Sequence, residues 1–399
     1  MTLPDAPWQH RTDLGRLLTV LGAGEGDTRY VGGCVRDTLL GLPVSDIDLA
    51  TRLDPQEVIA RLKDAKIKAV PTGLAHGTVT AVIAGQPVEI TTLRRDVATD
   101  GRRATIAYTN DWREDAARRD FTFNALSADP DSGEVFDYFG GLADVEARRV
   151  RFIGDPLTRI AEDHLRILRF FRFHARFGAG APDEEGLDAC TARANDLMAL
   201  SRERIADEML KLLALPDPAP TVALMIERNI LKPVLPEISD AARLAALCKR
   251  EQASGVPPHP LRRFAALLPQ GETVAADIGA RLRLSKAARA RLACAEKAPD
   301  PRPAPILAFE VGAECAADII LLSPDRDPAE AATLENWQRP RLGIGGGDLI
   351  AMGLQAGPVV AQTLQQLERD WAASGFPSDS ATVRAMARAA VDQALLARQ

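Results

Sequence analysis

The strand signal of this chain stops at about residue 145 and helical periodicity carries the rest, so a mixed α/β front must be joined to an all-helical remainder. Before that point, apolar and β-branched runs at 79–84, 88–93 and 134–138 predict strands. Between them the spacing predicts a helix over 55–66, with Asp54 as N-cap and Pro55 at the first helical position. From about 156 onward, long Ala-, Leu- and Arg-rich stretches recur at a period of 3.6. Proline-rich breaks at 216–220, 257–260 and 299–305 divide them into helical blocks. With 399 residues, 46% of them hydrophobic, the chain can bury cores for two or three domains.

Chemistry concentrates first between Tyr30 and Thr51. Val31 leads as a short apolar strand into Gly32-Gly33, after which Val35, Leu39 and Leu40 recur at helical spacing until Gly41. Glycines let the backbone approach an anion closely, a helix N-terminus adds a favourable dipole, and Arg36 brings a charged fork. By itself a double glycine before a helix is as well explained by a tight turn. Asp46-Ile-Asp48 follows within a short β-type run, where alternation would point both carboxylates to one face and Ile47 and Leu49 to the core. Two acids in so small a volume repel unless protonated or bridged by cations, and an all-oxygen set suits Mg²⁺. Glu89, on the run at 88–93, is a candidate third carboxylate, with a solvent-facing strand residue as the alternative.

Further along, Arg118-Arg-Asp-Phe-Thr-Phe-Asn-Ala125, Glu162-Asp-His-Leu-Arg166 and Glu203-Arg-Ile-Ala-Asp-Glu208 complete an ordered set with the glycine and Asp-x-Asp motifs. Together they resemble the bacterial class II tRNA nucleotidyltransferases, the CCA-adding enzymes and the related bacterial poly(A) polymerases. The match is clearest over residues 28 to 213 and looser beyond. The resemblance implies an α/β N-terminal polymerase-β-type nucleotidyltransferase head followed by an all-α neck, body and tail, multidomain and elongated. It sets the head at 1–145, a neck with the nucleobase-reading and RNA-binding segment at 146–215, and a tRNA-binding body and tail at 216–399.

It also implies roles. Asp46 and Asp48 would hold Mg²⁺ in a two-metal site, with Glu89 as a third catalytic carboxylate. Gly32, Gly33 and Arg36 would hold the triphosphate. Arg119, Asp120 and Asn124 would contact sugar and phosphate, while Phe121 and Phe123 belong to the core. Asp163 and Arg166, three apart, would share one face of a helix and present an acceptor beside a donor. Cytosine and adenine each show an amino donor beside a ring-nitrogen acceptor, and uracil and guanine show the reverse, so such a pair accepts C and A. An ordinary intrahelical salt bridge is the plainer alternative. Arg169 would join the nucleotide-binding set and Arg204 would touch phosphate or brace a helix, with Glu203 and Glu208 structural. The polar stretch from Leu93 to Arg103 matches a loop that full CCA-adding enzymes keep, and it reads as a candidate mobile element.

The net charge of −6 argues against indiscriminate RNA binding, yet the segment from Arg148 to Arg176 carries eight arginines against three acids. That local excess suits phosphates, although its outer members, Arg172 and Arg176, read equally well as a solvated helix face. The expected partners are tRNA, through its 3′ end and acceptor and elbow region, with CTP and ATP as substrates and no membrane. No apolar run nears the roughly twenty residues of a membrane span, and the N-terminus lacks a signal-peptide layout, so a cytoplasmic protein is expected. Five cysteines without Cys-x-x-Cys spacing read as reduced packing thiols with neither zinc nor disulfides. The Gly345–Val360 segment resembles the tail of CCA-adding enzymes, and a strongly basic C-terminal extension of the poly(A) type is lacking. CCA addition is therefore the leading expectation, ahead of poly(A) addition, A-only addition in a split system, or a non-catalytic nucleotide-binding protein.

Overall fold

The computed structural model describes the backbone of residues 1–99 and 104–396, and side chains outside 96–105. It divides into two compact units, Met1–Pro236 and Glu237–Gln399, so the expected head and neck both lie in the first.

The first unit opens with helix α1 (Thr12–Val20), strand β1 (Thr28–Val31), helix α2 (Gly33–Leu39), strand β2 (Asp48–Thr51) and helix α3 (Pro55–Asp64). Strands β3 (Lys68–Gly73), β4 (Thr78–Ile83) and β5 (Gln86–Thr92) follow, then a separate hairpin of β6 (Arg94–Thr99) and β7 (Ala104–Tyr108). After α4 (Trp112–Ala117), the short strands β8 (Ser127–Ala128) and β9 (Val135–Phe136) complete a seven-stranded sheet of order β3-β4-β5-β2-β1-β8-β9. Its pairs are antiparallel except β2 with β5, which run parallel and set Asp48 opposite Glu89. The Asp54 carboxylate caps α3 by accepting the Glu57 N–H at 2.8 Å, as the sequence predicts. Helices α1 and α3 cover one sheet face, where Leu14, Leu17, Leu21, Val58 and Leu62 pack on Leu49, Val88 and Ile90. Strand alternation then puts Asp48 and Glu89 on the other face.

Helices α5 (Gly141–Glu146), α6 (Pro156–Glu162), α7 (Arg166–Phe177), α8 (Glu184–Ala192), α9 (Arg202–Leu213) and α10 (Ala219–Glu227) complete this unit. A core of Phe121, Phe123, Phe152, Phe170 and Phe173, with ring centroids 4.8–6.4 Å apart, joins α7 to the segment after α4. Phe121 and Phe123 are thus core residues, as expected. The stretch from Leu93 to Arg103, expected as a loop, is instead largely one arm of the β6–β7 hairpin, and residues 100–103 lie outside the described residues.

The second unit is helical throughout its described residues: α11 (Ala242–Ser254), α12 (Pro260–Ala265), α13 (Glu272–Arg281), α14 (Lys286–Ala295), α15 (Ala304–Val311), α16 (Ala313–Leu322), α17 (Ala329–Ala332), α18 (Gly346–Ala351), α19 (Pro358–Ala373) and α20 (Ser380–Leu396). One cysteine expectation fails here, because Cys294 on α14 and Cys315 on α16 form a disulfide with Cα atoms 5.9 Å apart. The two helices pack side by side, a proximity that spacing along the chain does not encode. Cys34, Cys190 and Cys248 remain thiols. Among the described residues, no helix is long and apolar enough to cross a membrane.

Candidate active site

Strand β1 ends at Val31 and is followed by Gly32, whose backbone turns with φ +68° and ψ −118° into α2. L side chains avoid that conformation, and a Cβ there would stand 3.1 Å from Nη1 of Arg119. Arg36, about one helical turn later, is almost fully buried. Its Nε donates to Oδ1 of Asp37 at 2.8 Å, its Nη1 donates to Oδ1 of Asn124 at 2.5 Å, and its guanidinium carbon lies within 5.8 Å of the Phe123, Phe173 and Phe177 rings. Much of the fork expected for phosphate is therefore engaged inside the protein.

The paired carboxylates differ from expectation in one respect. Asp46 precedes β2 instead of belonging to it, because the ladder with β1 ends at the Tyr30–Leu49 pair, where the chain leaves for α2. Asp46 is exposed, with Ser45 Oγ donating to its Oδ2 at 2.8 Å. Ile47 and Leu49 are core residues as predicted. Burial, then the charges of Glu89 and Asp46, push the Asp48 carboxyl up to about 6, against the opposing pull of Arg119 and Arg36.

Asp163 and Arg166 also depart from the predicted geometry. Helix α6 ends at Glu162, Asp163 is extended at φ −152°, and α7 starts only at Arg166. The cause is local: the Asp163 carboxylate accepts the Leu165 N–H at 3.1 Å, an Asx-type turn that competes with the helical ladder. The two side chains do not pair with each other. Nη2 of Arg204 donates to both Asp163 oxygens at 2.8 and 3.1 Å. Nη1 of Arg166 donates to Oε2 of Glu162 at 2.5 Å and to the Arg159 carbonyl at 2.8 Å. The plain intrahelical salt bridge between them is thereby excluded.

Asp120 anchors the next layer. Its Oδ1 accepts the Phe121 N–H and Asn124 Nδ2, both at 2.9 Å, and its Oδ2 accepts Arg169 Nε at 2.7 Å. Burial acts to raise this carboxyl, but Arg169 and the Asn124 hydrogen bond outweigh it and hold it below its ordinary value. Arg119 donates to Oδ2 of Asp115 and to the Asn124 carbonyl, each at 3.3 Å. Glu208, expected to be structural, is buried and accepts Arg172 Nε at 2.6 Å.

These elements enclose a cavity of about 790 Å³. Every residue given a metal- or nucleotide-binding role from the sequence lines it: Gly32, Gly33, Arg36, Asp46, Asp48, Glu89, Arg119, Asp120, Asn124, Asp163, Arg166, Arg169 and Arg204. Sequence reasoning missed Leu165, Phe173 and Lys211 and left Arg172 and Arg176 undecided. For Arg172, Phe173 and Arg176 the usable signal was phase, since 166, 169, 172, 173 and 176 follow one another at helical spacing along α7.

The donors near Asp48 are carboxylate oxygens without histidine or cysteine ligands. Among the described residues, no three His, Cys, Asp or Glu side chains gather tightly enough to hold an ion unaided. A cation seated by Asp46 and Asp48 would complete its shell with substrate or water oxygens, as Mg²⁺ does beside phosphates.

Residues 28–151 match the family model of the poly A polymerase head domain, and 181–242 match that of the probable RNA and SrmB-binding site of polymerase A. The chain is 33% identical over 378 residues to CCA tRNA nucleotidyltransferase 1, mitochondrial, of Mus musculus, covering 90% of this chain and 86% of the relative. It is 37% identical over 230 residues to the CCA-adding enzyme of Anoxybacillus flavithermus, covering 57% and 56%. Among solved structures, the Bacillus stearothermophilus CCA-adding enzyme in complex with CTP superimposes with a TM-score of 0.71 at 27% identity, covering 91% of this chain and 94% of that one. The Thermotoga maritima CCA-adding enzyme complexed with tRNA shares the fold, with a TM-score of 0.66 at 19% identity and coverage of 100% of both chains.

Proposed function

The chain belongs to the CCA-adding tRNA nucleotidyltransferase family, and on that premise we propose that it adds CCA to the 3′ end of tRNA without a nucleic-acid template, using CTP and ATP and releasing pyrophosphate. The observation that carries this reading is the convergence on one cavity of the metal- and nucleotide-binding candidates, drawn from five separate motifs together with Glu89 and Arg169. Asp46, Asp48 and Glu89 line that cavity beside the Gly32–Gly33 turn, together with Arg36 and Arg119, and the arginines of α7 line it with Asp163 and Arg204.

Asp46 and Asp48 would hold Mg²⁺, with Glu89 beside them; burial first and then the charges of Glu89 and Asp46 lift Asp48, and a divalent ion would relieve that repulsion. Bound there, the ion supplies positive charge for the attacking 3′-hydroxyl and the leaving pyrophosphate. The Gly32–Gly33 turn lets the backbone approach the triphosphate, and Arg119, aimed across Gly32 by Asp115, adds charge to it. Asp120 and Asn124 hold Arg36 and Arg169 in place as well as lining the sugar side. At the far end Asp163 offers an acceptor to the amino group of cytosine or adenine, and Arg166 offers a donor to the adjacent ring nitrogen. Arg204 and the Leu165 N–H fix the Asp163 carboxylate, and Glu162 fixes Arg166, so the pattern is set before a nucleotide arrives. The body and tail at 216–399 are proposed to take the tRNA by shape and phosphate contacts, in the cytoplasm, where tRNA, CTP and ATP occur together.

The test uses purified protein, Mg²⁺ and a tRNA transcript lacking its 3′ CCA, with CTP alone, ATP alone and both, resolved at single-nucleotide length. Growth by two with CTP and by three with both, followed by a stop, is expected. A long ladder with ATP alone would make this a poly(A)-adding enzyme, A added only to a CC-ended tRNA would make it half of a split pair, and no extension would end the catalytic reading.

A further inference from the structure

Helix α7 carries a ladder of arginines, each tied to a carboxylate from a different element. Arg166 pairs with Glu162 of α6, Arg169 with Asp120, Arg172 with Glu208 of α9, and Arg176 with Asp37 of α2. Two of these rungs close a ring. Nη2 of Arg176 donates to Oδ2 of Asp37 at 2.8 Å, while Arg36 holds Oδ1 of the same carboxylate at 2.8 Å. Arg36 then donates to Asn124, Asn124 donates to Asp120, and Asp120 accepts Arg169, which returns the chain of hydrogen bonds to α7 two turns from where it left. Asp37 is 5% exposed and uses both oxygens in this ring. The only direct ion pair tying the glycine cradle helix to α7, among the described residues, is Asp37–Arg176.

From this closure we infer that Asp37 and Arg176 are positioning residues that fix the distance between the triphosphate cradle and the base-reading end of α7, and so make nucleobase selection depend on triphosphate seating. The inference rests on the function proposed above. Arg166 and Arg176 are ten residues apart on one straight helix, about 15 Å at 1.5 Å per residue, and both line the cavity. A nucleotide that spans the cavity must satisfy both ends at once. With α2 locked to α7, a base that seats poorly against Asp163 and Arg166 drags its triphosphate away from Asp46 and Asp48 and reacts slowly. With the lock removed, the cradle follows a misplaced nucleotide, and a wrong base pays a smaller penalty. Arginine suits this task because its planar fork holds one orientation, whereas a lysine at 176 would keep the charge and lose that geometry.

The test measures kcat/KM for CTP, ATP, UTP and GTP, and KM for tRNA, in the wild type and in Arg176→Ala, Arg176→Lys and Asp37→Asn, each checked for folding by thermal melting. Arg176→Ala is expected to lower the CTP-over-UTP and ATP-over-GTP ratios at least tenfold, with KM for tRNA within twofold. Arg176→Lys should recover part of the ratio. Asp37→Asn should relax selection in the same direction, and the double variant should be no worse than Arg176→Ala, since both act on one pair. Should Arg176→Ala fail to fold, the Lys and Asn variants carry the test. Unchanged ratios with equal loss for all four nucleotides, or a raised tRNA KM with selection intact, would overturn the inference and make Arg176 a structural or RNA-phosphate residue. A wild type that adds no CCA would instead remove the proposed function and this inference with it.

Discussion

Replacing the two cradle glycines one at a time separates a backbone requirement from a ligand requirement. Gly32 holds φ +68° and ψ −118°, a region that an alanine enters only at a cost of about 1–3 kcal/mol. Its new Cβ would meet Nη1 of Arg119 at 3.1 Å, but that is the far end of a flexible side chain, and the Asn124 carbonyl at 3.6 Å is ordinary contact. The backbone therefore dominates. Gly32→Ala should destabilise the first unit by that amount, lowering its melting temperature by roughly 2–4 °C per kcal/mol. Gly33 opens α2 without a positive φ, and its nearest neighbour, Arg36 Nη2, would lie 3.8 Å from an added Cβ. Gly33→Ala should leave the unliganded protein as stable as before, or more stable by up to roughly 1 kcal/mol. Its methyl group would nevertheless stand where the triphosphate must approach, and a tenfold loss in CTP affinity, about 1.4 kcal/mol, is expected. Melting curves and calorimetric CTP titrations of the two variants read these effects separately. Wild-type melting of Gly32→Ala would refute the backbone argument, and wild-type CTP binding by Gly33→Ala would show that phosphate does not meet the chain there.

Three further outcomes follow from the same geometry. Because the folded Asp48 carboxyl is raised from 3.8 to about 6, its ionisation disfavours the folded state, so stability linked to it is complete below pH 4 and lost as pH rises through 6. In EDTA, Asp48→Asn should be more stable than wild type at pH 8, by up to about 3 kcal/mol, and no more stable near pH 4; denaturant titrations at the two pH values would show it. Glu208→Ala leaves Arg172, itself mostly buried, without its carboxylate and should cost about 3–5 kcal/mol, measurable as a lower urea midpoint. Reducing the Cys294–Cys315 bridge, whose partners are 21 residues apart, should lower the stability of the second unit by about 3 kcal/mol. Thiol titration of the denatured protein should count three free thiols before reduction and five after, and five without reductant would mean that the bridge does not form.

What the sequence disclosed and what it hid have a common physical basis. The Gly-Gly turn, the Asp54 cap and the alternation of Ile47 and Leu49 depend on neighbours a few residues away, so local rules found them. Asp163 was misplaced because a side chain accepting an N–H two residues on competes with helix, a contest that spacing alone does not decide. Asp46 was misplaced because a strand ends where its partner strand departs, and that partner lies near residue 30. The disulfide needed two helices to pack, and the roles of Arg172 and Arg176 needed Glu208 and Asp37, which lie 36 and 139 residues away. Ion pairs of such separation leave no periodic trace in the chain.

The distribution of charge reconciles an acidic chain with a polyanionic substrate. Eight cationic side chains line the cavity against five carboxylates, so the site is locally positive within a protein of net charge −6. Most of those arginines already hold a protein carboxylate, and that pairing aims them and removes their freedom to collapse onto the nearby Asp46 and Asp48. An unpaired arginine cluster would repel itself and reorganise around each ligand, whereas a paired one presents fixed N–H directions at no further ordering cost. Selection between bases that differ by one donor and one acceptor demands that fixity. Ion pairs that add little to stability one at a time can therefore be retained for the geometry they impose.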